Sequence, residues 1–328
     1  MTHPIVSVII PTYKRNKTLE RAIKSVLRQT FKNYEIIIVD DNDEKSKYRK
    51  HNEIMMRKYQ NNEKIIYLKH KKNLNGAAAR NTGIFHSKSK YIAFLDDDDE
   101  YLENKLELQI NLLEKLDNSW GGVFCGCNHY IGRKLIRKNL NLGSGNLKND
   151  LLLKKIKFSF GSTALLRRSV LNELNGFDDT FNRYQDGELL IRFFRKYKIA
   201  FINQVLVNGY FDDRKNVPDT DSLIRTNEKI LKKYKKDIDE MPKDLQMEVY
   251  KRHSLEIVRA FIRRRELKGA LNYYKKAKMY TNLSVVDYFK IIIHFIYSME
   301  LIRQCILIII IKISGFVKLD IVLNLFMR

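Results

Sequence analysis

The stretch Tyr91-Ile92-Ala93-Phe94-Leu95-Asp96-Asp97-Asp98-Asp99 sets five apolar residues directly against four carboxylates. A continuous apolar run of that length, bounded by polar residues, reads as a strand buried on both faces. Upstream runs repeat the pattern: Val6-Ser7-Val8-Ile9-Ile10 stopped by Pro11, Glu35-Ile36-Ile37-Ile38-Val39 followed by Asp40-Asp41-Asn42, and Ile65-Ile66-Tyr67-Leu68. Helical spacing lies between them. Leu19, Ile23, Val26 and Leu27 share one helix face, with Asn16 as the expected N-cap, and Lys47 to Gln60 and Gly76 to His86 read as further helices. Strands alternating with helices predict an α/β fold on a mostly parallel central sheet covered on both faces. Right-handed crossovers then bring the carboxyl ends of the strands to one edge, where such sheets bind ligands. Thr12-Tyr13, Asp40-Asp41 and Asp96 to Asp99 all fall there.

Four adjacent carboxylates at a strand end repel one another unless a cation sits among them. Oxygen-only donors suit Mg²⁺ or Mn²⁺, and Mg²⁺ usually takes one or two protein carboxylates plus phosphate oxygens. Such a site therefore implies a phosphorylated ligand. A solvated acidic turn ahead of a helix is the plain alternative.

The 328 residues suggest about two domains. Lys and Arg number 61 against 38 Asp and Glu, a net charge of +23 that attracts phosphates on nucleotides, nucleic acid or anionic lipid. The excess is spread along the chain, +10 over residues 213–328 and +13 before them. Arg225 to Lys278 carries 17 basic and 8 acidic residues and reads as a solvated helix face or a membrane-surface patch. No helix-turn-helix, zinc-finger or RNP-type motif accompanies the charge, so no nucleic-acid partner is expected. No GxSxG or Walker-type loop is present, and the seven histidines lack metal-ligand spacing, leaving His129 and His294 as structural. Cys125, Cys127 and Cys305 form no CxxC, which fits a reducing compartment, and no secretory signal is visible in Met1 to Arg15. A cytoplasmic protein is the expectation.

The middle of the chain is less regular. Gly122-Val123-Phe124 and Ser162-Thr163-Ala164-Leu165-Leu166 read as short strands, Leu142-Gly143-Ser144-Gly145 as a turn, and Asp186 to Lys196 as a helix with Asp186 at its N-terminus. Beyond Asp213 the pattern is helical and basic. The tail from Ser284 to Arg328 is rich in Ile, Leu and Phe, but its longest run without charge or strong polarity, Cys305 to Ile311, is far short of the roughly 20 residues a spanning helix needs. Interfacial amphipathic helices on an anionic membrane surface are the expectation; a buried core or dimer helix is the alternative, and self-association as a homo-oligomer is left open.

Five separated blocks occur in order. They are Val6 to Arg15, Gln29 to Asn42, Asn75-Gly76-Ala77-Ala78-Ala79-Arg80-Asn81, Tyr91 to Asp99, and Ser162 to Arg168 with Gly176-Phe177-Asp178 and Tyr184-Gln185-Asp186. Together they resemble family 2 glycosyltransferases of the GT-A fold over about residues 4–212, in the manner of bacterial enzymes that build capsule, teichuronic acid or other surface polysaccharide. The resemblance implies a nucleotide-sugar donor, a UDP-sugar in particular, a lipid-linked or glycan acceptor, and Mn²⁺ or Mg²⁺. It implies that Pro11 and Tyr13 lie against the base and Asp41 accepts from a uracil nitrogen. Arg80 would sit near the base or diphosphate, Asp96 and Asp98 would form the DxD pair with Asp98 as metal ligand, and Asp97 would reach the ribose. Asp186 matches the catalytic base that takes the acceptor's proton in a single inverting displacement. Three positions depart from the family pattern: Asp43 where serine is common, Gln185 in place of an acid, and Gly187 in place of a frequent tryptophan. The implied organisation is a catalytic domain at 1–212, with 1–120 for the nucleotide-sugar and 121–212 for the acceptor. A helical region at 213–328 follows, ending in a membrane-interfacial tail at 284–328 and placing the protein peripherally on the inner face of the cell membrane. A nucleotidyltransferase and an inactive assembly partner are the competing readings.

Overall fold

Val6–Thr12 forms β1, with β2 (Tyr34–Asp40) and β4 (Tyr91–Phe94) in parallel on its two sides, so that Val8 faces Ile36 on one side and Ala93 on the other. β3 (Ile65–Lys69) extends the sheet in parallel beyond β2. The connections run through α1 (Leu19–Leu27), α2 (Lys47–Met56) and α3 (Gly76–His86). Val8 and Ile10 pack against Ala22, Ile23 and Val26 of α1. On the opposite face α3 approaches Ile9 so closely that a Cβ at Gly83 would stand 2.5 Å from the Ile9 Cγ2. Both faces are covered, which is why these strands read as uninterrupted apolar runs.

A computed structural model describes residues 3–15, 17–140, 143–156, 160–211 and 219–298. Two compact units emerge, residues 1–151 with 155–216, and residues 152–154 with 217–328.

In the first unit the chain continues through β5 (Glu100–Tyr101), α4 (Lys105–Glu114), β6 (Trp120–Ile131) and β7 (Lys134–Asn139). It then passes α5 (Lys148–Leu152), α6 (Phe160–Thr163), β8 (Leu165–Arg167), α7 (Arg168–Glu173), α8 (Gln185–Phe193) and β9 (Lys198–Phe211). The strand order is β3-β2-β1-β4-β8-β6-β9-β5, with β7 on β6. β8 runs antiparallel to both β4 and β6, whereas β6 and β9 are parallel, so the sheet is parallel in its first half and mixed in its second.

Three local expectations are corrected. Asn16 lies outside the described residues, and Thr18 holds the N-cap position of α1. Ser162 and Thr163 end the short helix α6 instead of starting a strand, because Ser162 is engaged in bracing the acidic turn and ladder pairing begins only at Leu165. The run at Gly122-Val123-Phe124 belongs to a strand of 12 residues.

Lys105 is fully buried, donates to Gln109 Oε1 at 2.7 Å and lies 4.0 Å over the Tyr101 ring. Burial pushes its amine down to about 8. Folding therefore carries a penalty while the amine is charged. The folded state binds fewer protons than the unfolded chain between pH 8 and 10.5, so stability rises across that window. The full gap corresponds to about 3 kcal/mol, against about 1 kcal/mol for the Gln109 bond. Lys105→Met is expected to stabilise the first unit by about 2 kcal/mol at pH 7 and to flatten the alkaline rise. Urea unfolding followed at Trp120, the sole tryptophan, checks this; an unchanged midpoint at pH 7 contradicts it.

The second unit is helical: α9 (Thr220–Lys233), α10 (Lys235–Asp239), α11 (Lys243–Arg263), α12 (Leu267–Tyr280) and α13 (Val285–Ser298). The Asp219 side chain accepts from Ser222 N at 2.6 Å and caps α9. Leu255, Val258 and Ile262 of α11 pack on Ala270 and Ala277 of α12, and His253 Nδ1 meets Asn227 Oδ1 at 2.6 Å to tie α11 to α9. Among the described residues no helix is long and apolar enough to cross a membrane. The expected interfacial tail beyond Ser298 lies outside the described residues.

Candidate active site

The carboxyl ends of β1, β2 and β4 open into a cleft of about 800 Å³. Pro11, Tyr13, Asp41, Arg80, Asp96, Asp97 and Asp98 all line it, joined by Arg15, Asn73, Asn75 and, from the end of β9, Tyr210 and Phe211. Asp186 is not in the lining. It stands behind Arg80, in the first turn of α8.

Each carboxylate of the acidic turn has its own partner. Asp96 Oδ1 accepts from Arg80 at 2.7 Å, and its backbone N–H donates to Ser162 Oγ at 3.1 Å. The same carboxylate fills the space over Gly161, where a Cβ would stand 2.3 Å from Asp96 Oδ2. Asp97 accepts from the Thr12 hydroxyl at 2.6 Å and lies 3.3 Å from Arg15 Nε. Asp98 is ion-paired to Arg15, and its backbone carbonyl accepts from Arg21, whose guanidinium stacks 3.9 Å over the Tyr210 ring. Asp99 accepts from Ser162 Oγ at 2.5 Å and from Tyr210 N at 3.2 Å. Burial pushes the Asp97 carboxyl up to about 8, the Thr12 bond working against it and Asp98 adding to it. Burial followed by repulsion from Asp96 raises Asp98 as well.

Asp41 is 2% exposed. Its carboxylate accepts from Asn73 Nδ2 at 2.6 Å, Leu74 N at 2.8 Å and Asn75 N at 3.0 Å, and contacts His70 Nδ1 at 2.7 Å. It thereby folds the loop that delivers Asn75, whose side chain caps α3 through Ala77 N and Ala78 N. Behind it, Asp40 is wholly buried against Arg49 at 3.2 Å. Arg49 also donates to the carbonyls of Asp40, Asn42 and His70. Neither Arg15 nor Arg49 stands out in a chain this basic; only their burial distinguishes them.

Asp186 Oδ1 is buried without a hydrogen-bond partner. Burial raises its carboxyl, the Arg80 charge pulling the other way. It is not the helix cap, since Tyr184, in the left-handed region at φ +62°, holds that position. That oxygen therefore keeps unused acceptor capacity.

Residues 7–174, just over half the chain, match the family described as glycosyl transferase family 2. The chain belongs to that family. It is 34% identical over 211 residues to a glycosyltransferase of Rickettsia prowazekii, RP339, a match that covers 63% of this chain and 64% of that protein. It is 29% identical over 202 residues to the Escherichia coli protein WfgD, a UDP-Glc:alpha-D-GlcNAc-diphosphoundecaprenol beta-1,3-glucosyltransferase, covering 61% of this chain and 73% of that one. The fold is GT-A-like. It matches the Pyrobaculum calidifontis mannosyltransferase PcManGT, solved with GDP-Man and Mn²⁺, with a TM-score of 0.56 at 17% identity over 86% of this chain and 77% of that one.

Two departures from the family pattern have local explanations. The Tyr184 ring occupies the position where a Cβ on Gly187 would stand, 2.4 Å from its Cζ, so a tryptophan there would require that ring to move. Gln185 donates to the Phe181 carbonyl at 2.8 Å and offers its oxygen to Arg80 at 3.5 Å, bracing the turn where the family has an acid. A divalent cation fits the acidic turn by donor chemistry, since Asp96 and Asp98 supply carboxylate oxygens at the cleft. Among the described residues no group of three or more His, Cys, Asp or Glu could hold a metal ion alone, so the remaining ligands would have to be phosphate oxygens and water.

Proposed function

We propose that this chain transfers a sugar from a nucleotide-sugar to a hydroxyl of a lipid-linked or glycan acceptor in surface polysaccharide synthesis, with inversion at the anomeric carbon. The observation that carries it is the acidic turn at the end of β4 facing Arg80, with the open carboxylate of Asp186 behind. Residues 1–120 take the donor and 121–212 the acceptor. A UDP-sugar is the donor, in line with Asp41 and with the UDP-Glc named for WfgD; the acceptor class follows the lipid diphosphate in the same name. Pro11 and Tyr13 bracket the base, Asp97 reaches the ribose, and Arg80 holds the diphosphate. The N-terminus of α3, capped by Asn75 beside it, adds favourable dipole charge for phosphate. Asp98, with Asp96, holds Mn²⁺ or Mg²⁺, which when bound offsets the charge on the departing nucleoside diphosphate; the Mn²⁺ of PcManGT supports this. Asp186 takes the proton from the acceptor hydroxyl as that oxygen attacks.

We read the second unit as the part that would rest the enzyme peripherally on the inner face of the membrane. Val285, Val286, Phe289 and Ile292 of α13 are exposed, and Lys290 stands among them, the arrangement of a helix that rests on an anionic surface.

The test is a panel of nucleotide-sugars, with nucleoside diphosphate release measured with Mn²⁺ and with EDTA. One donor should be hydrolysed slowly, and both EDTA and Asp98→Asn should abolish the release, by about 100-fold or more. A folded protein that binds no nucleotide sinks the enzyme reading and favours an inactive assembly partner.

A further inference from the structure

We propose that Arg15 is a built-in counter-ion that occupies the cation position of the acidic turn in the donor-free protein and yields it to a metal–diphosphate ligand, so that metal and nucleotide bind synergistically. The inference rests on the metal-dependent reading above and concerns a residue that reading does not use.

Arg15 contacts the turn in two places, through Nε to Asp97 Oδ1 at 3.3 Å and through its other guanidinium nitrogen to Asp98 Oδ2. Its side chain is only 16% exposed, yet it lines the cleft. The loop that carries it is held in place. Lys14, at φ +53°, donates its backbone N–H to Asn42 Oδ1 at 2.8 Å, and Asn42 is fixed in turn by Asp40. The other two arginines at the turn are engaged differently, Arg80 with Asp96 and Arg21 with the Asp98 carbonyl and the Tyr210 ring.

A divalent cation on Asp98 and the Arg15 guanidinium on the same carboxylate repel each other. A metal arriving alone must push Arg15 aside against that repulsion, so it binds weakly. A metal arriving with a nucleoside diphosphate supplies the displaced guanidinium with phosphate oxygens, which its planar fork can pair with bidentately. By linkage, the diphosphate then tightens the metal by the same factor as the metal tightens the diphosphate.

The experiment is Mn²⁺ binding to the full-length chain, followed by electron paramagnetic resonance of free Mn²⁺, with and without UDP. Wild type should bind Mn²⁺ weakly alone and about tenfold or more tightly with UDP. Arg15→Gln should bind Mn²⁺ alone about tenfold more tightly than wild type and lose most of the UDP enhancement, whereas Arg15→Lys, which keeps the charge without the two-point fork, should fall between the two. A gain of metal affinity is a change that damage to the loop would not produce. If wild type binds Mn²⁺ with UDP but Arg15→Gln gains none, this inference falls and the metal reading stands. If wild type binds no Mn²⁺ even with UDP, the metal reading falls and takes this one with it. Should Arg15→Gln lose its thermal transition, UDP affinity of the wild type with and without Mn²⁺ decides instead, and equal affinities overturn the proposal.

Discussion

Asp186→Asn is expected to lower kcat by about 10²–10⁴-fold, the range for loss of a general base, with donor affinity essentially retained. The substitution keeps the volume of the side chain and removes only its capacity to take a proton. Asp186 Oδ1 has no hydrogen-bond partner, so its basicity is not consumed by the fold, and burial raises its carboxyl above the ordinary range against the pull of Arg80. The direction fixes the pH behaviour. A base must be deprotonated to act, so activity should fall as pH drops through a value above the usual carboxylate range. That acid limb should disappear in the residual activity of the variant. A helix-capping role would give a different result, about 1 kcal/mol of lost stability with kcat intact. Steady-state kinetics across pH, with donor affinity measured separately, distinguishes the two. A variant with wild-type kcat removes Asp186 from the chemistry.

The contrast between Asp186 and the acidic turn shows what a sequence can and cannot display. β1 to β4 were legible because burial on both faces leaves no polar period to confuse the reading, and the charged residues that end β2 and β4 mark the ligand edge. The second half of the sheet was not. β6 contains Gly121, Gly122 and Gly126, and a Cβ at Gly122 would stand 2.3 Å from Leu166 Cδ2. Tight packing against β8 is therefore written in glycines that interrupt the apolar run, so only Gly122-Val123-Phe124 of the strand was legible. The same holds at Gly161, whose missing side chain is the seat of the Asp96 carboxylate. Candidate ligands could be named from their positions at strand ends, but their partners could not. Arg15, Arg21 and Arg49 are three basic residues among 61. Nothing local separates a guanidinium that braces a buried acceptor from one that solvates a surface: Asp98, which Arg15 and Arg21 meet, lies far away in sequence, and Asp40, which Arg49 meets, is reached only once β2 and α2 are packed together.

Arg49→Met is expected to cost the first unit about 3–5 kcal/mol, the range for breaking a buried ion pair from one side. Asp40 has no exposed surface and Arg49 is 3% exposed, so water cannot replace what is removed. The carboxylate would retain the Tyr67 hydroxyl at 2.5 Å and Asn52 at 3.0 Å, but its positive partner would be gone. Three backbone carbonyls, of Asp40, Asn42 and His70, would lose their donor together. In a unit of this size the loss corresponds to a fall in Tm of about 10 °C. Trp120, the sole tryptophan, lies in β6 of the same unit, so its fluorescence reports this transition and not that of the helical unit. Arg49→Lys should recover only part of the loss, since an ammonium lacks the planar fork that reaches a carboxylate and three carbonyls at once. The defect should also reach the cleft, because Asn42 positions the Lys14 backbone and His70 contacts Asp41. Donor affinity should therefore fall in Arg49→Lys at temperatures where the variant is fully folded. A variant within about 1 kcal/mol of wild type, the range of an exposed pair, would mean that Arg49 is a surface cation with a well-placed side chain.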